Sequence, residues 1–214
     1  MRITRAPRAV WRYVRGAPGT YIWLGVILFT TLAAHRMSPA FEEEFLRQRS
    51  TNLHELSDNP VRVLVASAMW LDGGYWLPYA GLYSVIHAPV ERWLGTARWL
   101  AVAAGAHVLA TLISEGALLV AIERGIAPRS AMNTLDVGVS YALCGVAAVL
   151  TYRLPGLWRY LWAAGLLALF AAPMTVTPTF TDFGHFIAVC LGLAAYPVTR
   201  GRRNPKGTAA VRAG

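Results

Sequence analysis

Long apolar runs separated by short polar or basic segments make up most of this chain. Each run approaches the roughly 20 residues that an α-helix needs to cross about 30 Å of hydrocarbon. The runs cover residues 20–35, 75–90, 99–122, 134–150, 157–174 and 182–198. This pattern predicts an all-α polytopic membrane protein, with six transmembrane helices in a single domain at residues 17–199.

Residues 36–74, between the first two runs, break the pattern. Apolar side chains at Phe41, Phe45 and Leu46 are mixed with acidic ones, which predicts a short amphipathic helix on the outer surface. Residues 61–70 are apolar but too few to span a bilayer. We expect a re-entrant or interfacial segment, that is, an embedded first outer loop. Such backbone persists at membrane depth only where neighbouring helices cover it.

Composition agrees with a membrane protein and argues against a nucleic-acid partner. Hydrophobic residues make up 56% of the chain and charged residues only 14%. The net charge of +9 comes from basic residues at the two ends and in short loops, which is typical of cytoplasmic segments beside a bilayer. The abundant Ala and Arg, with the single lysine Lys206, indicate a GC-rich bacterial genome, and we expect the protein in the plasma membrane.

The basic residues also predict the orientation. With six spans and both termini cytoplasmic, 14 of the 20 Lys and Arg residues lie on the cytoplasmic side. Residues 1–16 are then a basic cytoplasmic N-terminus, and residues 200–214 are a basic cytoplasmic tail, disordered from residue 205. A signal peptide cleaved near residues 38–40 is the alternative to a retained first span, which we favour.

A serine and a histidine form the candidate chemistry. Ser140 follows Gly138 near the outer end of the fourth span, and His185 follows Gly184 near the outer end of the sixth. Both spans enter from the same side, so the two side chains are expected at similar depth. A histidine is the usual base for a serine nucleophile. An ionisable side chain inside a membrane segment is also a functional candidate by default.

The ordered set of motifs resembles the rhomboid intramembrane serine proteases. It covers roughly residues 60–199 and comprises Gly138 with Ser140, Gly184 with His185, Gly192, the Glu-x-x-x-Gly turn at Glu91 and Gly95, and Arg62 at the start of the embedded run. The resemblance implies that Ser140 is the nucleophile and His185 the general base, in a cavity open to the outside. It also implies hydrolysis of peptide bonds in or near the transmembrane segments of single-span membrane proteins, without metal or cofactor.

The sequence departs from the family at two places. Tyr141 replaces the second glycine of the serine motif, and Tyr75 and Tyr79 take the positions of a His-x-x-x-Asn pair. By the resemblance, these two phenols and backbone N–H groups near Ser140 would hold the oxyanion. Losing one such donor can cost roughly a hundred- to a thousandfold in rate. The alternative is a catalytically inactive rhomboid-like protein that binds membrane-protein clients.

Two acids near the candidate dyad have a simpler interpretation. Asp136 and Asp182 precede Ser140 and His185 by four and three residues. Acids in the first turn of a helix are favoured by the helix dipole, so both are expected to be helix N-terminal residues. For Asp182, orientation of His185 is the alternative, because positions i and i+3 share a helix face.

A polar stripe on the third span and two cysteines complete the candidates. The stripe favours interhelical hydrogen bonds, with an ion path in a small transporter as the alternative; it comprises His107, Thr111, Ser114 and Glu115. Cys144 and Cys190 both lie in apolar runs, where buried structural thiols are expected. Neither a disulfide framework nor a metal spacing is indicated.

Overall fold

The computed structural model describes residues 5–73, 75–176 and 178–201. Every regular element within these ranges is helical. The α-helices are α1 Arg5–Arg15, α2 Pro18–Ala34, α3 Pro39–Arg47, α4 Leu53–Asp58, α5 Pro60–Ser67, α6 Trp76–Leu82, α7 Ala88–Leu94, α8 Thr96–Glu123, α9 Val139–Leu150, α10 Leu157–Ala171, α11 Phe180–Ala194 and α12 Tyr196–Thr199. A π turn, Tyr83–His87, joins α6 to α7. The predicted disordered tail from residue 205 lies outside the described residues.

The helices fit the predicted membrane class. Among the described residues, two are long and apolar enough to cross a bilayer by themselves: α8, and α10 extended through the 3-10 turn to Thr175. Helices α1 and α2 together make a third span if their 95° bend is counted within it. Helices α9 and α11 are apolar but shorter. The fold is therefore all-α with apolar spans, and the count of six remains a prediction.

Helices α8, α9 and α11 form the centre of the bundle, where glycines permit close packing. A Cβ at Gly145 of α9 would overlap the side chain of Ala106 on α8. A Cβ at Gly192 of α11 would overlap the carbonyl of Gly145. Small residues at helix contacts allow backbones to approach in this way. This packing fixes the relative position of α9 and α11, which carry Ser140 and His185.

Glu91 fastens helix α2 to the turn between α7 and α8. Its carboxylate accepts hydrogen bonds from the backbone N–H groups of Gly19 and Thr20, at 2.8 and 2.7 Å. It also accepts from the hydroxyls of Thr20 and Thr96, at 2.7 and 2.8 Å. Gly95 closes the turn with φ +84°, a conformation that favours glycine. The Glu-x-x-x-Gly motif therefore builds a helix junction.

The fourth predicted span begins later than its apolar run. Residues 134–138 are not helical, and α9 starts at Val139. The Ser50 hydroxyl accepts a hydrogen bond from the Asp136 N–H at 2.6 Å, and the Asp136 carbonyl accepts one from the Thr51 N–H at 2.9 Å. Because these bonds hold Asp136 in a non-helical segment, its predicted place in the first turn of a helix is wrong. Ser140 is therefore the second residue of α9.

The outer segment contains the predicted amphipathic helix. Helix α3 buries Leu46 while Phe41 is exposed. After α5, the backbone docks on α2, where Trp23 donates from its indole to the Ala68 carbonyl at 2.8 Å and Thr30 donates to the Met69 carbonyl at 2.7 Å. The short run predicted to be embedded is thus covered by α2 on one side.

Candidate active site

Ser140 and His185 are brought together. The Nε2 atom of His185 lies 2.8 Å from the Oγ atom of Ser140, within hydrogen-bonding distance. Both residues are half-buried. The sequence predicted a similar depth for the two side chains, and the packing of α9 against α11 brings them into contact.

The position of Ser140 at the start of α9 has an electrostatic consequence. The first N–H groups of an α-helix have no partner within the helix, and its N-terminus carries a partial positive charge. Gly138 is the N-cap residue, and because glycine has no side chain it offers no acceptor for these N–H groups. Backbone donors therefore lie beside the Ser140 hydroxyl, as an oxyanion formed at this serine would require.

Tyr141 lies beside the candidate dyad, not between its members. Its hydroxyl donates to Oδ2 of Asp136 at 2.7 Å, and its ring meets the His185 ring edge-on at 5.0 Å. A Cβ at position 184 would overlap the Tyr141 hydroxyl, so Gly184 makes the space that this ring occupies. The tyrosine at the second glycine position is thus accommodated by the glycine before His185.

Asp182 is the N3 residue of a capping box at the start of α11. Its carboxylate accepts from the backbone N–H and the hydroxyl of Thr179, at 3.1 and 2.6 Å, in a reciprocal capping box. The prediction of a helix N-terminal acid is confirmed for this residue. Its hydrogen bonds go to Thr179, and the ring contacts of His185 come from Tyr141 and Phe170.

Tyr75 and Tyr79 have different surroundings. Tyr75 is 71% exposed and lines a cavity of about 390 Å³ on the side of α2, together with Leu28 and Thr31. Tyr79 packs its ring against Tyr83 at 6.4 Å. Neither phenol forms a hydrogen bond with Ser140 among the described residues.

A π turn separates α6 from Glu91. The turn at Tyr83–His87 shifts the backbone register by one residue, so everything before it is rotated relative to Glu91. Counting along the sequence therefore does not identify the residues of α6 that face Ser140.

Tyr83 is a neighbour of the dyad that sequence reasoning missed. Its ring is fully buried, and its hydroxyl donates to the Val139 carbonyl at 3.3 Å, one residue before Ser140. It stacks on His87 with ring centroids 3.9 Å apart, and His87 accepts from the Trp99 indole at 3.1 Å. A Tyr and a His four residues apart in an apolar run were the available signal.

His107 makes the interhelical hydrogen bonds predicted for the polar stripe. Its Nε2 lies 2.9 Å from the Leu64 carbonyl and 3.3 Å from the Ser67 hydroxyl, both on α5. Since a carbonyl only accepts, Nε2 carries the hydrogen and cannot serve as a base for Ser67. The ring also fills the space that a Cβ at Gly138 would need. The Nε2 of His185 has no such carbonyl partner among the described residues.

The remaining candidate residues are structural or exposed. Ser114 donates to the Thr111 carbonyl within its own helix, at 3.1 Å. Arg62 lies on the exposed face of α5. Cys144 is buried and Cys190 half-buried, and both are free thiols. No cluster of potential metal ligands occurs in the part of the chain that the structure describes.

A family model described as rhomboid-like protein matches residues 12–205. Because this match spans most of the chain, the protein belongs to the rhomboid family and is a rhomboid-like membrane protein. Comparisons with curated proteins and with solved structures gave no match.

Proposed function

We propose that this rhomboid-like protein is an intramembrane serine protease that uses Ser140 and His185. The observation that carries the proposal is the 2.8 Å contact between Oγ of Ser140 and Nε2 of His185. Substrates would be single-span membrane proteins, cleaved in or near their transmembrane segment. We place the protein in a bacterial plasma membrane with both termini cytoplasmic.

The reaction follows from the roles of the two side chains. His185 takes the proton of the Ser140 hydroxyl as Oγ attacks the peptide carbonyl carbon. The negative charge that develops on the carbonyl oxygen is stabilised by backbone N–H groups at the start of α9. His185 then gives its proton to the leaving amine, and water hydrolyses the acyl-enzyme by the same proton transfers in reverse.

Labelling with a fluorophosphonate probe tests the proposal, because the probe reacts only with an activated serine. In native-like membranes, wild type should be labelled, whereas Ser140→Ala and His185→Ala should each lose at least about a hundredfold in labelling rate. Ser67→Ala is the matched control. It also removes a buried serine beside a histidine, but that histidine already donates to Leu64, so labelling should persist.

An unlabelled wild type would contradict the protease, provided that a known rhomboid protease reacts in parallel. The same result would support the second candidate, a non-catalytic protein that binds membrane-protein clients. The exposure of Tyr75 favours this candidate, because this phenol, one of the two expected side-chain donors, makes no hydrogen bond with Ser140 among the described residues. Photo-crosslinking in membranes would then recover the same single-span clients from wild type and from His185→Ala.

A further inference from the structure

A second cavity opens at the same end of the bundle as the dyad. It has a volume of about 250 Å³ and lies between the C-terminal half of α8, the segment before α9 and the start of α11. Its lining contains two carboxylates and three threonines besides two apolar side chains: Glu115, Asp136, Thr134, Thr179, Thr181, Leu118 and Phe180. None of these residues carries a positive charge.

The carboxylate of Glu115 is the unusual feature of this cavity. Glu115 is only 5% exposed, and its Oε2 atom has no hydrogen-bond partner among the described residues. Asp136 is 6% exposed and lies close enough for the two acids to interact electrostatically. A buried carboxylate without a partner is costly, and a second acid nearby increases the cost. A cation in the cavity would give Glu115 a partner and would offset the repulsion between the two acids.

The cavity does not suit an anion. The free N–H groups at the start of α11 are the donors that an anion would need, but the capping box of Thr179 and Asp182 already engages this end of the helix. The volume also exceeds that of a single ion, since one water takes up about 30 Å³ in the liquid. A guanidinium or ammonium group with its first waters fits this space.

The cavity is connected to the dyad through one side chain. The Tyr141 hydroxyl donates to Asp136, and the Tyr141 ring contacts His185 at 5.0 Å. Phe180, which lines the cavity, begins the helix that carries His185 five residues later. The side chain of Tyr141 therefore links Asp136 of the cavity to His185 of the dyad.

We propose that the cavity of Glu115 and Asp136 is a subsite for a basic side chain, arginine or lysine, of the bound membrane-protein segment. This assignment rests on the proposed function, because it places the basic residue next to the peptide presented to Ser140. Glu115 supplies the open carboxylate, and Asp136 is held in place by Tyr141. The subsite would select clients with a basic residue close to the outer end of their transmembrane segment.

A pair of small ligands tests the subsite without a known substrate. N-acetylargininamide and N-acetylcitrullinamide have nearly the same shape, but only the first is charged. With the full-length protein in lipid nanodiscs, the arginine compound should raise the thermal unfolding midpoint and slow fluorophosphonate labelling, and the citrulline compound should do neither. Glu115→Gln should weaken the arginine effect at least tenfold in ligand concentration. Glu123→Gln, an exposed acid on the same helix, should leave it unchanged.

Several results would overturn the subsite. Equal effects of the two compounds on wild type would remove the need for charge, and this comparison holds even if Glu115→Gln fails to fold. An undiminished arginine effect in a folded Glu115→Gln protein would place the ligand elsewhere. Stabilisation by calcium or sodium chloride, with none by the arginine compound, would assign the cavity to an inorganic cation.

The two proposals can fail separately. Stabilisation by the arginine compound in a wild type that the probe does not label would keep the subsite and reject the protease. Labelling of Ser140 that the arginine compound neither slows nor accelerates, with no change in the unfolding midpoint, would keep the protease and reject the subsite.

Discussion

Tyr141 and Gly184 act as a matched pair beside the dyad. The tyrosine stands where the family pattern has a glycine, and the glycine before His185 gives its ring room. The bulk on α9 is thus offset by the lack of a side chain on α11. The departure from the motif leaves the contact between Ser140 and His185 intact.

Gly184→Ala should disturb this pair. The new methyl group overlaps the Tyr141 hydroxyl, so either the ring or α11 must move, at a cost of about 1–3 kcal/mol. We expect a lower unfolding midpoint and weaker fluorophosphonate labelling. The double variant Gly184→Ala with Tyr141→Gly should recover labelling because the overlap is gone.

Gly165→Ala is the control for this prediction. It lies within α10, and a Cβ there meets nothing within 4 Å. Its midpoint and labelling should match wild type. Two results would contradict this prediction: a loss of labelling in Gly165→Ala, or unchanged labelling in Gly184→Ala. Either would show that the fit between Tyr141 and Gly184 does not set the geometry of the dyad.

The candidate dyad could be predicted from the sequence, but its surroundings could not. Ser140 and His185 follow from a motif and from helix topology. Tyr83 was missed because it lies in a π turn, whose position an apolar run does not show. Asp136 was misplaced because its bonds to Ser50 and Thr51 join segments about 85 residues apart.

At the level of the helices, Glu91 is the residue on which a junction depends. Each of its two oxygens accepts two hydrogen bonds from α2 or from the start of α8. A glutamine has one oxygen and an NH₂ group that would face two donors. The junction therefore requires a carboxylate.

Glu91→Gln should destabilise the protein by about 1–3 kcal/mol, the usual cost of leaving buried donors unsatisfied. The thermal unfolding midpoint in nanodiscs measures this loss. Glu123→Gln makes the same chemical change at an exposed site and should have little effect. A Glu91→Gln protein as stable as wild type would show that α2 is held by its apolar contacts alone.

Helix boundaries were predictable where a polar residue bounds an apolar run. The predictions for α2 and α8 agree with the structure within three residues at each end. The predicted start of the fourth span was wrong. The apolar run extends back to residue 134, but hydrogen bonds to the outer segment prevent a helix there. Tertiary contacts decide such ends.

For the whole molecule, the class was evident from composition, whereas the number of spans depends on geometry. The 95° bend between α1 and α2 is an example, because it decides whether the basic helix α1 belongs to the same span as the apolar helix α2. Amphipathic basic helices of this kind lie along a membrane surface. Hydrophobic pattern alone does not give this angle.

Cysteine labelling tests the predicted orientation. After Cys144 and Cys190 are replaced by alanine, single cysteines are introduced at Glu43 and at Arg200, both exposed. A membrane-impermeant maleimide should modify Glu43→Cys in intact cells and Arg200→Cys only after lysis. The reverse pattern would invert the topology, and modification of both in intact cells would mean an even number of crossings between the two positions.

Helix α10 has no buried residue, so most of its surface belongs to its surroundings and not to the bundle. In a bilayer, acyl chains are therefore the packing partners of this helix. Phe170 of the same helix contacts the ring of His185. The length and order of the lipid chains therefore affect the dyad through one helix, α10. A detergent micelle that replaces those chains changes the surroundings of His185 without contacting its side chain.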